Sequence, residues 1–373
     1  MKKPPPPVRF PESPRTIVTR ASAAGTERFA QRWPQLAPDF FRTSRTGLKV
    51  SSVALGTYLG ESDDDVDAQY GESMHEALSS GINTIDTAIN YRCQRSERII
   101  GRVLQDMIES GAIRRDEIVL CTKAGYVPLD GTPPASREAY EEYLRREYFD
   151  TGILQPSDLV AGGHALAPDF LRDQLQRSMR NLGVQGIDIF YIHNPEQQLT
   201  VVTTDALRSR LRLAFEALEG CVSSGKIGVY GCATWSALRL PAGSHGHLSL
   251  YELEALAREV AGDAHHFRAV QLPVNLSMSE AVRISTQRDP RGRLVHVVDA
   301  AADLGIDLVV SAPLLQGQLT HDLPPQVREV FAGTTDADRA LAFARSLPAV
   351  LTVAVGMKTA THVRDNLRPM LVA

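Results

Sequence analysis

The chain has 373 residues, of which 43% are hydrophobic and 23% charged, with a formal net charge of −4. This is the balance of an ordinary globular protein. The scattered Lys and Arg residues argue against a nucleic-acid footprint or an anionic membrane surface, and no apolar stretch approaches the roughly 20 residues needed to span a bilayer.

The amino-terminal MKKPPPPVRFPESP is proline-rich and has no apolar core, which argues against a secretory signal. Residues 1–38 read as a draping arm, with a proline-rich recognition peptide as the alternative, and 39–373 as one domain. FFRTSRTGLKVSSV, beginning at Phe40, has the form of a hairpin turning around SRTG and is placed to plug the amino end of the domain. The four cysteines, Cys93, Cys121, Cys221 and Cys232, form no CxxC pair and have no metal-ligand spacing with histidine. They read as free thiols in a reducing cytoplasm.

Short apolar runs then recur: SVALG (52–56), INTID (82–86), IVLCTK (118–123), IDIFYIH (187–193), IGVYGC (227–232), RAVQLP (268–273), IDLVVS (306–311) and TVAVG (352–356). Their Val, Ile and Leu content fits parallel strands buried on both faces. Helical patterns over 64–81, 96–111, 169–183, 205–225 and 294–305 lie between them. Several close on a glycine just before the next strand, where a left-handed residue ends a helix. This repeated order predicts an α/β fold, a (β/α)8 TIM barrel. An open doubly wound sheet is the competitor, but the chain lacks the GxGxxG or Walker loop such a sheet usually carries. Two long loops are expected at strand carboxyl ends, 124–168 after the third strand and 236–267 after the fifth. They read as lids or specificity loops, or as surface insertions.

Four polar residues stand at or just past strand ends: Asp86, Tyr91, Lys123 and His193. In a barrel they would meet at the carboxyl mouth. Each has a bland reading alone, as a helix cap, a half-buried aromatic, a snorkelling lysine or a core histidine. Together they make chemical sense. A phenol with an ordinary pKa near 10 is a poor acid at neutral pH. An ammonium at Lys123 favours the phenolate and lowers that pKa, Asp86 holds Lys123 charged and oriented, His193 donates to a carbonyl oxygen, and Tyr91 protonates that oxygen. No metal is called for.

The motifs VSSVALGTYLG, GINTIDTAINY, SERIIGRVL, LCTK, RSMRNLGVQGIDIFYIHNP, KIGVYGCATW, AVQLPVN, SAPLLQGQL and GMKTATHVRDNL resemble the aldo-keto reductase family, in the family's order, over about 52–370. The resemblance implies reduction of an aldehyde or ketone with a nicotinamide cofactor, NADP with NADPH preferred and NADH possible, and it implies the same roles for the four residues. It further implies a cofactor wall of Gly56, Thr57, Tyr58, Asp86, Asn194, Gln271, Ser311, Ala312, Pro313, Leu314, Gln316, Gly356, Met357, Lys358, His362, Asp365 and Asn366. Ala233 and Thr234 stand where many members have Ser-Asn, Ser311 where many have a stacking Tyr, and His362 where an Arg holds a 2′-phosphate. Lys358 would face that phosphate or the pyrophosphate. Substrate contacts are expected from Tyr58, Tyr91, Tyr126, His193 and Trp235, with His164 as a further pocket wall. An oligomer is compatible with the sequence. Rival readings are a non-catalytic nicotinamide-sensing subunit of a larger assembly and a Schiff-base barrel enzyme using Lys123 as nucleophile.

Overall fold

The computed structural model describes residues 20–372. Eight parallel strands close into a barrel: β1 (Val53–Gly56), β2 (Thr84–Asp86), β3 (Val119–Ala124), β4 (Ile187–His193), β5 (Ile227–Ala233), β6 (Phe267–Pro273), β7 (Asp307–Ser311) and β8 (Val350–Gly356). β8 pairs with β1 through Val353–Val53 to Gly356–Gly56, which closes the ring. The expected strands match these within about two residues at each end. Both faces of each strand are buried: one packs on the outer helices and the other fills the barrel, so every position favours an apolar residue.

The outer helices include Asp64–Leu78, Arg95–Glu109, Pro168–Leu182, Thr204–Ser223, Leu250–Ala261, Val297–Asp303, Asp336–Ser346 and Ala360–Leu367. Their starts are written locally. Asp63, Thr203, Ser249 and Thr335 each accept a backbone N–H from the first turn, satisfying donors the helix leaves open.

The amino end is stoppered by the expected hairpin, Phe41–Thr43 paired antiparallel with Lys49–Ser51. Val50 inserts among Val119, Ile189, Tyr191, Val229 and Leu351, the side chains filling the barrel. The proposed arm boundary at residue 38 marks no change in packing. Residues 1–19, which carry most of the proline-rich stretch, lie outside the described residues. Ala23–Ala30 is a helix with Phe29 fully buried, and Arg28 pairs with Asp116 and Glu117. The Ala21 amide donates to Asp188 at 2.8 Å, and Val372 N donates to the Gln35 carbonyl.

Three loop expectations change. Leu250–Ala261, within 236–267, is a regular helix, leaving 234–249 as the loop after β5. The 124–168 insertion builds its own small core of Val127, Leu144, Tyr148, Leu154, Ala165 and Phe170. The third long loop, unanticipated, is 312–335 after β7, with Ala312, Leu315 and Gln316 in the left-handed region. Among the described residues, no helix is long and apolar enough to cross a membrane, and all four cysteines are free and buried.

Candidate active site

Strand alternation builds the site. On β3, Val119 and Cys121 face the barrel interior while Leu120 packs outward, so Lys123, two residues on, also points inward. On β4 the inward series Ile189, Tyr191 ends at His193. Asp86 closes β2, opposite Cys121 in register. The strands look uniformly apolar because the interior is packed, and the polar residues occupy only its uppermost layer.

Lys123 is wholly buried. Its Nζ donates to Asp86 Oδ2 at 2.8 Å and to the Thr87 carbonyl at 2.9 Å, and it lies 4.9 Å from the Tyr91 ring centroid. Asp86 Oδ1 accepts from Gln271 Nε2 at 2.8 Å, so the carboxylate is engaged on both oxygens. Burial pulls the Lys123 ammonium down, but Asp86 and Tyr91 outweigh it and the pKa ends above its ordinary value. The direction expected for Tyr91 is reversed: burial pushes the phenol above 10, and Lys123 offsets this only in part. Tyr91 is therefore a protonated phenol at neutral pH, with a cation beside it to favour the phenolate once its proton leaves.

His193 contacts Tyr91 and Tyr126 edge-on, with centroids 5.9 and 5.1 Å away. Its Nδ1 is buried without a hydrogen-bond partner. Burial, then Lys123 and His164, hold its pKa well below 6.5, so the ring is neutral and presents one N–H. His164, expected as a pocket wall, sits behind this layer at 1% exposure. Its Nδ1 faces the Gln198 amide at 2.7 Å and its Nε2 the His193 carbonyl at 2.7 Å. A neutral ring that accepts from Gln198 donates from Nε2 to that carbonyl. Gly125 makes room for the contact: a Cβ there would lie 2.9 Å from both His164 Nε2 and the His193 oxygen.

The mouth opens into a cleft of about 1060 Å³, at the upper end of small-molecule sites. Its wall includes Asp86, Tyr91 and His193, and also Gly56, Thr57, Tyr58, Asn194, Ala233, Thr234, Gln271, Ser311 to Leu314, Gln316, Gly356, His362, Asp365 and Asn366. Tyr126 and Trp235 also line it, and Tyr126 Oη accepts from Asn194 Nδ2 at 3.1 Å. Glu196 shapes the adjoining loop, accepting from the Trp235 and Ser236 amides at 2.7 and 3.1 Å.

Some expected residues fall elsewhere. Met357 is fully buried and its carbonyl accepts from the Ser73 hydroxyl. Lys358 stands outside the wall, close to Gly60. Both lie past Gly356, where β8 ends. From the 124–168 insertion only Tyr126 reaches the cleft, so this insertion does not close it. The 312–335 loop supplies more of the wall. Residues not anticipated are Leu59, Asn90, Gly317, Thr320, Thr335, Ala337, Asp338, Ala354, Val355 and Arg368. TDAD at 335–338 carries a helix-start signature and Arg368 falls three residues after Asp365, but nothing local brings the two segments to one cleft.

A closed barrel whose C-terminal mouth combines an aspartate-held lysine, a tyrosine and a neutral histidine beside a long cleft defines the class of barrel oxidoreductases that work without a separate nucleotide-binding domain. The chain belongs to the aldo/keto reductase family, whose sequence model matches residues 52–372 and whose members are NAD(P)H-dependent oxidoreductases. It is 23% identical over 356 residues to the uncharacterized oxidoreductase YrpG of Bacillus subtilis, covering 88% of this chain and 90% of that one. It is 26% identical to a 6-dehydroglucose reductase of Novosphingobium aromaticivorans, over 56% of each chain. The fold is that of an aldo/keto reductase from Klebsiella pneumoniae solved with NADP and acetate, at TM-score 0.59 and 17% identity, over 90% of this chain and 91% of that one. The glycerol dehydrogenase of Gluconobacter oxydans superposes with TM-score 0.61 at 19% identity, over the same shares of each chain.

Proposed function

We propose that this protein reduces an aldehyde or ketone to the alcohol with NADP(H), NADPH being the preferred form. Tyr91 is the general acid, assisted by Lys123 and Asp86, and His193 donates to the carbonyl oxygen. The observation that carries this reading is the buried Lys123, bonded to Asp86 at 2.8 Å and lying 4.9 Å from the Tyr91 ring centroid. A lysine so deeply buried is costly to keep charged, and a packing role does not need it.

The cleft fits a dinucleotide in size and in its open valences. The Thr234 hydroxyl in its wall is buried without a partner, so it can take up the hydrogen bond that Ala233 lacks the atoms to make. Gly56 and Gly356 leave the end of the β1–β8 pair bare of side chains. NADP is the nucleotide named with the Klebsiella structure. When bound, the reduced nicotinamide supplies a hydride to the carbonyl carbon.

The chain's residues do the rest. The neutral His193 ring gives an N–H to the carbonyl oxygen and polarises it. Tyr91 then transfers its phenolic proton to that oxygen. The phenolate left behind lies beside the Lys123 ammonium, which Asp86 and the Thr87 carbonyl hold in place. Tyr58, Tyr126 and Trp235 line the mouth around the reacting carbonyl.

The test is cofactor oxidation with a panel of aldehydes and ketones, with wild type and Tyr91→Phe side by side. Turnover by the wild type and its loss in the variant, with dinucleotide binding retained, is the expected result. Tight binding with no turnover on any carbonyl would remove the catalytic reading.

A further inference from the structure

Tyr91 is followed by three residues in the left-handed region: Arg92, Cys93 and Gln94, at φ 47°, 54° and 69°. None is glycine, so each holds a conformation that its side chain makes costly. Such strain persists where the surroundings over-determine it, and here two segments do so. The Cys93 carbonyl accepts from the Gly131 amide at 2.9 Å, and Gln94 Nε2 donates to the Leu129 carbonyl at 3.0 Å. These bonds fasten the turn to the insertion after β3.

Arg92 fastens it on the other side, to the loop 57–63 that follows β1. Its Nε donates to the Glu61 carbonyl at 2.8 Å, and its Nη2 to the Asp63 carbonyl at 3.1 Å and to Asp67 Oδ1 at 2.7 Å. The guanidinium lies over the Tyr70 ring, 5.3 Å from its centroid, and Tyr70 Oη donates to the Leu59 carbonyl at 2.8 Å. The same loop carries Tyr58, whose ring meets the Tyr91 ring edge-on with centroids 5.1 Å apart. The contacts therefore close a circuit from Tyr91 through Arg92 and the loop to Tyr58, and back to Tyr91.

We propose that Arg92 is a positioning residue for the acid: by closing this circuit it fixes the Tyr91 phenol between Tyr58 and Lys123. This rests on the reading of Tyr91 as the general acid given above. A packing role does not need a guanidinium at this place. Arg92 is 6% exposed and its Nη1 is buried without a partner, which is costly for a charged group. Asp67 does not need it either, being paired with Arg95 at 2.8 Å. What the rigid fork adds is simultaneous bonding to two loop carbonyls and a helix carboxylate.

The experiment is steady-state NADPH oxidation with para-nitrobenzaldehyde, an uncharged electrophilic aldehyde, for the full chain as wild type, Arg92→Met, Arg92→Gly and Arg95→Met. Circular dichroism melts on the same preparations fix the working temperature well below unfolding. Both Arg92 variants are expected to lose about 10- to 100-fold in kcat, the range of a small misplacement of a reacting group, with KM unchanged. Arg92→Gly should melt above Arg92→Met, because glycine takes a positive φ freely, and still be no more active. Arg95→Met, which removes a guanidinium paired only with the carboxylates of Asp64 and Asp67, should keep the wild-type kcat. Arg92 variants that melt lower but keep the wild-type kcat, or that raise KM alone, overturn the assignment. So does recovery of turnover in Arg92→Gly, or an equal loss of kcat in Arg95→Met. A wild type that reduces neither this aldehyde nor any of the panel removes the reading of Tyr91, and the assignment with it; the other outcomes leave that reading standing.

Discussion

Asp86 Oδ2 and Lys123 Nζ, from the ends of neighbouring strands, meet at 2.8 Å at the floor of the cleft, with Lys123 wholly buried and Asp86 nearly so. The pair is held from both sides, by Gln271 on the carboxylate and the Thr87 carbonyl on the ammonium. Removing one partner strands the other as a buried charge. Lys123→Met is therefore expected to lower stability by about 3–5 kcal/mol as well as to abolish most turnover. Thermal melting and steady-state rates on the same preparation check this. A variant that melts like the wild type would show that the Asp86–Lys123 pair contributes little to the stability of the fold.

The pH dependence follows from the same cluster. Tyr91 is raised above 10 and His193 lies well below 6.5, so neither changes protonation across the neutral range. The acid is protonated until its raised pKa is passed. In the reducing direction kcat/KM, which reports the free enzyme, is expected to stay flat from neutrality to about pH 10 and to fall only beyond it. In the oxidising direction, where the phenolate is the useful form, the rate should climb steadily with pH. A break between pH 7 and 9 in the reducing direction, absent from a Tyr91→Phe control of residual activity, would contradict this assignment of the acid.

The barrel and its inner layer were largely legible, because buried parallel strands carry an apolar signature on both faces and a polar residue at a strand end breaks it. Asp86, Lys123 and His193 each stood out in this way, and the structure places them together. The helix Leu250–Ala261 was missed because LPAGSHGHLS just before it reads as loop, although Ser249 caps it locally. Contacts between distant segments carry no such local mark. Gln271 reaches Asp86 across 185 positions, and Asp338 approaches Arg368 only through the packing of two helix ends. Met357 and Lys358 lie past the end of β8 at Gly356, where strand alternation no longer decides which side chain faces the cleft.

Barrel closure tests the inner packing. Between β5 and β6 the register shifts at Tyr230–Gly231. A Cβ built on Gly231 would lie 1.6 Å from the Ala269 carbonyl oxygen. That obstacle is backbone and cannot swing aside, so Gly231→Ala is expected to cost more than about 4 kcal/mol and to yield little folded protein. Gly220, in the helix Thr204–Ser223, has nothing within 4 Å of the same built atom, and Gly220→Ala is expected to raise stability by up to about 1 kcal/mol. Circular dichroism melts of the two variants compare the sites directly. A well-folded Gly231→Ala protein would mean the two strands can part there.

His164 links the acid stability of the fold to the catalytic layer. Burial lowers its pKa to about 4, and its bond to the His193 carbonyl only partly offsets that. An unfolded chain restores an ordinary imidazole near 6.5. Between these values the unfolded state binds the extra proton, so the contribution of neutral His164 is complete above about pH 6.5 and drains away as the pH falls toward 4. The fully developed effect is about 3 kcal/mol. His164→Gln offers a side-chain N–H in place of the ring but has no proton to gain. The stability gap between wild type and His164→Gln is therefore expected to be widest at pH 7 and to shrink by about 2–3 kcal/mol by pH 4.5. Urea unfolding of both proteins across this range measures it. A gap independent of pH would mean that His164 takes up its proton as readily in the fold as in the unfolded chain, so that burial does not hold the ring neutral.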